Sequence, residues 1–344
     1  MSVPQGNLWQ ILRSQALDSV PAGCRCPPGS PPTLESWLRS GAYSVQSASK
    51  KIVTIEAPIE DVGALLFAEA GLLLDHAQEH AIQARHHLAG GRWASPAWSV
   101  VTVYYWSYYL VMAITRMIGE APWFLSRAEA LLLSGLSPGD GKVGPGLRVL
   151  TCRPAISATM RVVELRQSSQ TRVHDAVWRT WFGFLRPHVT ALVEQKLNTA
   201  ELRLYLPQVK AANAIGDSWP SDLRNLVNYV PGLAYGAARG RVSTSAYSGL
   251  SAARSETTDA IIGRLESAAA ALSGSEPLRS QLVSAARTLT SMTIVLDLIA
   301  NALFDEVASR HGLDRRWVGA RSALRSSQWA EFDGLQWPVD VDAA

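Results

Sequence analysis

Cysteine is scarce in this chain of 344 residues: Cys24, Cys26 and Cys152 are the only three. So few, so unevenly spaced, they exclude a disulfide framework. Cys24-x-Cys26 has no second pair to complete a zinc site, so reduced thiols are predicted. Charge is sparse as well, with 18% of residues Asp, Glu, Lys or Arg against the usual ~25% of soluble domains. Lysine is nearly missing, five residues beside 27 arginines. Arginine suits bidentate contacts with phosphate or carboxylate, although a GC-rich genome produces the same bias. The net charge of +3 and pI near 8.8 permit nucleic-acid binding without demanding it, since a basic footprint has to be clustered on one face.

A basic-then-apolar leader is missing from the N-terminal MSVPQGNLWQ, which places the protein in the cytoplasm. Charged residues are missing altogether from Trp93 to Thr115, a run about long enough to cross a bilayer. The run nevertheless contains Ser95, Pro96, Ser99, Thr102, Ser107 and four tyrosines. That composition fits a buried helix of a bundle, and no membrane partner is expected. What the chain does have is apolar mass: 47% hydrophobic residues and twelve tryptophans. This is enough for a sizeable core, with a neutral surface left for a second copy or a partner protein to cover.

Residues 1–60 are rich in Pro, Gly and Ser, with PAGCRCPPGSPP at 21–32, and read as an irregular arm with short elements such as Leu34 to Leu38. A mainly α domain is predicted over 61–245. Its first helix runs from Asp61 to Ala89 and stops at Gly90-Gly91; its second runs from Pro96 to Ile118 and stops at Gly119, forming a hairpin. A short helix is expected at 120–136. SPGDGKVGPG at 137–146 reads as a loop, and the β-branched LRVLTC and ATMRVVEL as strands, giving a small β insertion at about 137–166. Helix returns at Thr171 to Leu197 and around Ser221. A C-terminal helical hairpin is expected over 246–330, from Ser251 to Leu272 and from Ser275, with Glu276 and Pro277 behind it, to His311. Residues 331–344 form a tail, and there is no internal repeat.

Two glycine motifs fail on context. Gly139-x-Gly141-x-x-Gly144 matches the dinucleotide pattern but lacks the strand-turn-helix that presents a helix N-terminus to pyrophosphate. Gly141-Lys142 is followed by Val143, which has no hydroxyl for magnesium. No cofactor is predicted. The histidines are more suggestive: His76, His80 and His87 fall within about 40° of one another on one helix, with Glu69 and Gln83 on the same stripe. His76-Ala-Gln-Glu79-His80 also spells the inverted zinc-protease motif, for which Glu164 is one possible third ligand. A solvated or partner-facing stripe, a metal-dependent hydrolase and a base for a site elsewhere all remain open, and no metal is assigned.

Arg172, Arg179 and Arg186 recur every seven residues in RVHDAVWRTWFGFLR, with aromatic residues between them, and are candidate RNA contacts; core aromatics edged by snorkelling arginines explain the same pattern. Arg310, Arg315, Arg316, Arg321 and Arg325 form a similar group, suited to an anion or to Glu331 and Asp333. SDLRNLVNYVPG, Ser221 to Gly232, carries the most information. Arg224 and Asn225 lie about one turn ahead of Tyr229, so a cationic fork, an orienting amide and a hydroxyl share roughly one helix face. Phosphate handling is one use of such a trio, and a structural tie is the other.

The tyrosine-rich VVTVYYWSYYLVMAITRMIG at 100–119, behind a polar-striped helix and ahead of SDLRNLVNYVPG, resembles the HEPN superfamily of helical prokaryotic defence and toxin proteins. The likeness covers about 150 residues and implies a HEPN-like helical bundle. It also implies metal-independent RNA cleavage at a site shared by two units, in which the 2′-hydroxyl attacks the adjacent phosphate. Family members place a histidine after Arg-Asn, where this chain has Tyr229. Tyrosine, with an ordinary pKa of ~10, is a poor base at neutral pH. Arg224, Asn225, Tyr229 and His80 are therefore the catalytic candidates, His76 and His87 alternative bases. The alternatives to an endoribonuclease are a degenerate unit that binds RNA without cutting it, a non-catalytic scaffold subunit, and the metal-dependent hydrolase.

Overall fold

The computed structural model describes residues 6–21, 24, 33–40, 42–89, 96–196, 199–230 and 257–311, with 318, 319 and 323. Helix dominates. In chain order the elements are α1 Asn7–Ser19, α2 Leu34–Ser40, β1 Ser44–Ala48, β2 Ile52–Pro58, α3 Ile59–Ala89, α4 Pro96–Met117, β3 Glu120–Leu125 and α5 Arg127–Leu136. They continue with β4 Gly146–Ala155, β5 Met160–Gln167, α6 Val173–Glu194, α7 Ala200–Ile215, α8 Trp219–Tyr229, α9 Thr258–Ala270 and α10 Leu282–His311.

Helix α4 is the axis of the helical core, packed by α3, α6, α8 and α10. This explains its uncharged run as far as Thr115: Val100, Val101, Tyr104, Leu110, Val111, Ile114 and Met117 are all buried, leaving little of its circumference to carry a charge, and Arg116 in the last turn is paired with Glu69. The helix ends where predicted. Gly119 takes φ +77°, and a Cβ there would lie 2.5 Å from Ser19 Oγ and 2.9 Å from the Cys152 Cβ, so the stop and the close approach both call for glycine. Among the described residues the helix that meets length and hydropathy criteria for a membrane span is instead α10, over Leu282–Arg310, and 72% of its most apolar stretch is buried within the fold. Thr288, Thr290 and Thr293 of α10 turn their hydroxyls back to the carbonyls of Ser284, Ala286 and Leu289, which makes them compatible with an apolar core.

The second layer is a five-stranded antiparallel sheet of order β1-β2-β5-β4-β3. The loop and the two strands expected after residue 137 are present as β4 and β5. The sheet is larger than an insertion, however, because residues 44–58 of the expected irregular arm supply β1 and β2. Alternation was the signal there: in Ile52–Pro58 every second residue, Val53, Ile55 and Ala57, is buried. Ser49 closes the hairpin, its hydroxyl accepting from the Lys51 and Ile52 amides. Residues 120–125, expected as helix, form the edge strand β3, where the missing N–H of Pro122 is tolerated. Helix begins only at Arg127, behind a capping box in which Ser126 Oγ accepts from the Glu129 amide and Glu129 returns the bond at 2.6 Å. Likewise α10 starts at Leu282 rather than Ser275; Gln281 holds the intervening turns by donating to the carbonyls of Ser273 and Glu276.

The start of α3 joins the two layers. Val62, Leu65 and Leu66 pack under the sheet with Leu38, Val53 and Leu165, while Phe67, Leu74 and Ala77, farther along, enter the helical core. Arg148, 1% exposed, fastens the sheet by donating to the carbonyls of Leu165, Lys50 and Gly144 at 3.0–3.2 Å.

Candidate functional site

Trp219, Pro220, Leu223 and Val227 form the inner face of α8 and are buried against the helical core. Pro220 in the first turn favours initiation at this point. Anchoring that face turns Arg224, Asn225 and Tyr229 towards the opposite side, so the three candidates do come together. Arg224 donates from Nη1 to Asn225 Oδ1 at 2.6 Å and from Nη2 to the Tyr105 hydroxyl at 2.8 Å. Its guanidinium carbon lies 5.5 Å from the Tyr105 ring centre, 5.7 Å from that of Tyr104 and 5.8 Å from that of Tyr229. All these partners are neutral. Among the described residues no carboxylate pairs with Arg224, so its charge is oriented without being cancelled.

A cleft of about 410 Å³ opens beside it. Tyr104 of α4 forms one wall, and Ser221, Arg224, Asn225 and Tyr229 of α8 another. The start of α6 adds Arg172, His174 and Asp175. Tyr229 stands 68% exposed at the mouth. Two arginines thus share a concave site with one histidine, one carboxylate, one amide and three hydroxyls, a set able to bind an anionic oxygen and to move a proton.

His174 is the residue that sequence reasoning passed over. It stood in view beside Arg172 but was read as one letter of an arginine-aromatic repeat. Its Nδ1 shares a 2.7 Å hydrogen bond with the Tyr104 hydroxyl, which lies 3.3 Å from Ser221 Oγ. Its ring packs 4.4 Å from that of Tyr108. Burial, reinforced by the Arg224 charge and opposed by Asp175, holds the imidazole below its ordinary pKa, so it is neutral at pH 7. Tyr104 and Tyr108 move the other way: burial pushes Tyr108 up to about 12 and raises Tyr104 as well, so both keep their protons.

The histidine stripe of α3 is split. Glu69 is committed to Arg116 at 3.0 Å and to the Leu34 amide. His76 pairs with Glu79 and lies against Tyr109. His80 stacks on Tyr109 and on Tyr105, the tyrosine that receives Arg224, and burial lowers its pKa. It touches the site through that ring and does not line the cleft. The His87 side chain lies outside the described residues. Glu164, the suggested third metal ligand, is taken by Arg153 and Arg166, and among the described residues no three His, Cys, Asp or Glu side chains gather as metal ligands do.

Of the arginine repeat only Arg172 reaches the cleft. Arg179 is exposed elsewhere on α6, and Arg186 is held by Asp217 at 2.5 Å and by Asn213. In the C-terminal group Arg310 pairs with Glu306, and Arg315, Arg316, Arg321 and Arg325 lie outside the described residues. The Cys24 thiol donates to the Glu60 carbonyl at 3.5 Å, Cys152 is a free thiol, and Cys26 is likewise outside the described residues. Comparison of the chain with protein-family models, curated proteins and solved structures gives no significant match.

Proposed function

We propose that the chain is a HEPN-like, RNA-directed protein of the kind found in prokaryotic defence and toxin systems, working in the cytoplasm without metal, with Arg224 as its phosphate ligand. One observation carries this reading: Arg224 is fixed by neutral partners at a cleft it shares with Arg172, so an oriented and uncancelled positive charge faces a concave site. The structural arginines are satisfied away from the cleft, Arg116 by Glu69, Arg186 by Asp217 and Arg148 by three carbonyls of the sheet layer, whereas Arg224 is the one of these four that lines the cleft. Asn225 steadies one end of the guanidinium, and the exposed Tyr229 ring offers a surface on which a base can stack. The test is binding of a single-stranded oligoribonucleotide by wild type and Arg224→Gln. Loss of affinity in the variant supports the reading, and equal affinity refutes it.

A second reading, a subunit that docks on a partner, draws on a different region. The edge strand β3 exposes Phe124, and the helix that follows exposes Leu131 and Leu136. Light scattering on the purified chain tests it: a monomer that co-purifies with no other protein would count against such a role.

A further inference from the structure

We propose that His174, on a different helix from the Arg-Asn-Tyr trio, is the proton carrier of the cleft, occupying the chemical role that Tyr229 cannot fill. The assignment rests on the RNA-directed reading above and adds the residue that would make the cleft cut.

Three observations support it. First, His174 and Arg224 line the same cleft although 50 positions separate them in the chain, so the pair is made by the packing of α6 and α8 around α4. Second, His174 is positioned through one nitrogen only. Nδ1 is held by the Tyr104 hydroxyl at 2.7 Å, while Nε2 has no protein hydrogen bond among the described residues and is not sealed from solvent. In the tautomer the step uses, Nδ1 carries the proton and donates it to the Tyr104 hydroxyl, whose own proton points to Ser221 Oγ, and Nε2 keeps the free lone pair that a general base requires. Third, the imidazole is neutral at pH 7, being half-buried and beside the Arg224 cation. The other histidine in reach, His80, has its Nδ1 buried without a partner and presents a ring face to Tyr105.

The step follows from these positions. His174 Nε2 takes the proton of a ribose 2′-hydroxyl as that oxygen forms a bond to the adjacent phosphorus. The bond from phosphorus to the 5′-oxygen breaks, and the leaving oxygen takes a proton from water. The products are a 2′,3′-cyclic phosphate and a 5′-hydroxyl end, and His174 releases its proton to solvent. Arg224 meets the negative charge that grows on the phosphate oxygens. No oxidant or metal enters the balance. The groups facing His174 are Tyr104, Tyr105 and Tyr108 from α4, Arg224 from α8, and Arg172 and Asp175 from its own element, with Asp222 beyond Asp175.

The experiment compares wild type, His174→Ala, His174→Gln and Arg224→Gln on a single-stranded oligoribonucleotide, measuring cleavage, and on its 2′-deoxy analogue, measuring binding. His174→Ala should cut at least ~100-fold more slowly, the usual scale for a lost general base, and bind the deoxy analogue within about twofold of wild type. Added imidazole should restore part of the lost rate. His174→Gln, which keeps much of the volume and a polar atom for Tyr104, should fold as wild type does and be equally slow. In the wild type the acid limb of the pH-rate profile should fall below the ordinary histidine value of ~6.5, and Arg224→Gln should raise the His174 midpoint seen by NMR. Cleavage by His174→Gln within about threefold of wild type overturns the proposal. So does a wild type that binds RNA through Arg224 and never cuts it, an outcome that leaves the RNA-binding reading standing. Unimpaired binding by Arg224→Gln overturns the RNA-binding reading instead.

Discussion

Replacing Arg224 by glutamine separates a ligand-binding arginine from a structural one. In the folded chain the substitution removes the bonds to Asn225 and Tyr105, each about 1 kcal/mol net, and ring contacts of about 0.5–1 kcal/mol. Against that loss stands relief from half-burying a charge with no carboxylate partner, a term of the same order. The two nearly offset, so the net change should stay within about 1 kcal/mol, or about 2 °C in melting temperature for a chain of this size. Arg116 is the internal control. It is buried and joined to Glu69, and removing it strands a largely buried carboxylate at a cost of about 3–5 kcal/mol, so Arg116→Gln should melt about 6–10 °C lower. On RNA the ranking should reverse. Charge-assisted bonds to phosphate are each about 1.5–3 kcal/mol, so Arg224→Gln should weaken binding roughly 10–150-fold. The slope of log affinity against log salt should fall by about 0.7 for each phosphate released. Fluorescence anisotropy at several salt concentrations and a thermal melt measure both quantities. If Arg224→Gln melts as low as Arg116→Gln and binds RNA as wild type does, the arginine is structural and the site reading fails.

Arg148→Met should destabilise the sheet by roughly 3–5 kcal/mol, because the carbonyls of Leu165, Lys50 and Gly144 lose their common donor; chemical denaturation measures it. Gly119→Ala should cost about 1–3 kcal/mol, since the residue has φ +77° and the new methyl would meet Ser19 and Cys152, and an unchanged unfolding midpoint would refute the packing described there. Acid should unfold the chain through three carboxyls. Arg153 and Arg166 depress Glu164, Arg203 depresses Glu266, and Arg13 and Arg310 depress Glu306. Each folded pKa lies below its unfolded value of ~4.3, so the stability they contribute is present above that pH and lost as pH falls through the folded values. Melting temperature followed from pH 6 to pH 3 should be flat at first and then drop, and the triple Gln variant should show a shallower drop.

Much of the helical framework was legible because its signals are local. The uncharged run of α4, the glycine stop at 119 and the one-turn spacing within Ser221 to Tyr229 each act within a turn or two. The sheet was legible only in part. The β-branched strands β4 and β5 stood out, but β1 and β2 are short, lie beside a proline-rich stretch, and join the rest of the sheet only through the pairing of β2 with β5, more than 100 residues away. Pro122 and the apolar residues after it fit a helical turn equally well until the edge of a sheet is there to receive them.

The site divides in the same way. Helical periodicity alone placed Arg224, Asn225 and Tyr229 together, because residues one turn apart share a face whatever surrounds them. Which histidine would stand near them was a tertiary matter. His76, His80 and His87 advertised themselves as a stripe, yet His76 is drawn to Glu79 and Tyr109, and His80 stacks on Tyr105 and Tyr109 without lining the cleft. His174, a single polar residue at the start of an aromatic helix, reaches the cleft because Trp178, Trp181 and Leu185 bury the next turns of α6 in the core, leaving its first turn beside Tyr104. A pattern along the chain reports on neighbours in sequence; the meeting of α6 with α8 depends on the packing of both helices in one apolar core around α4.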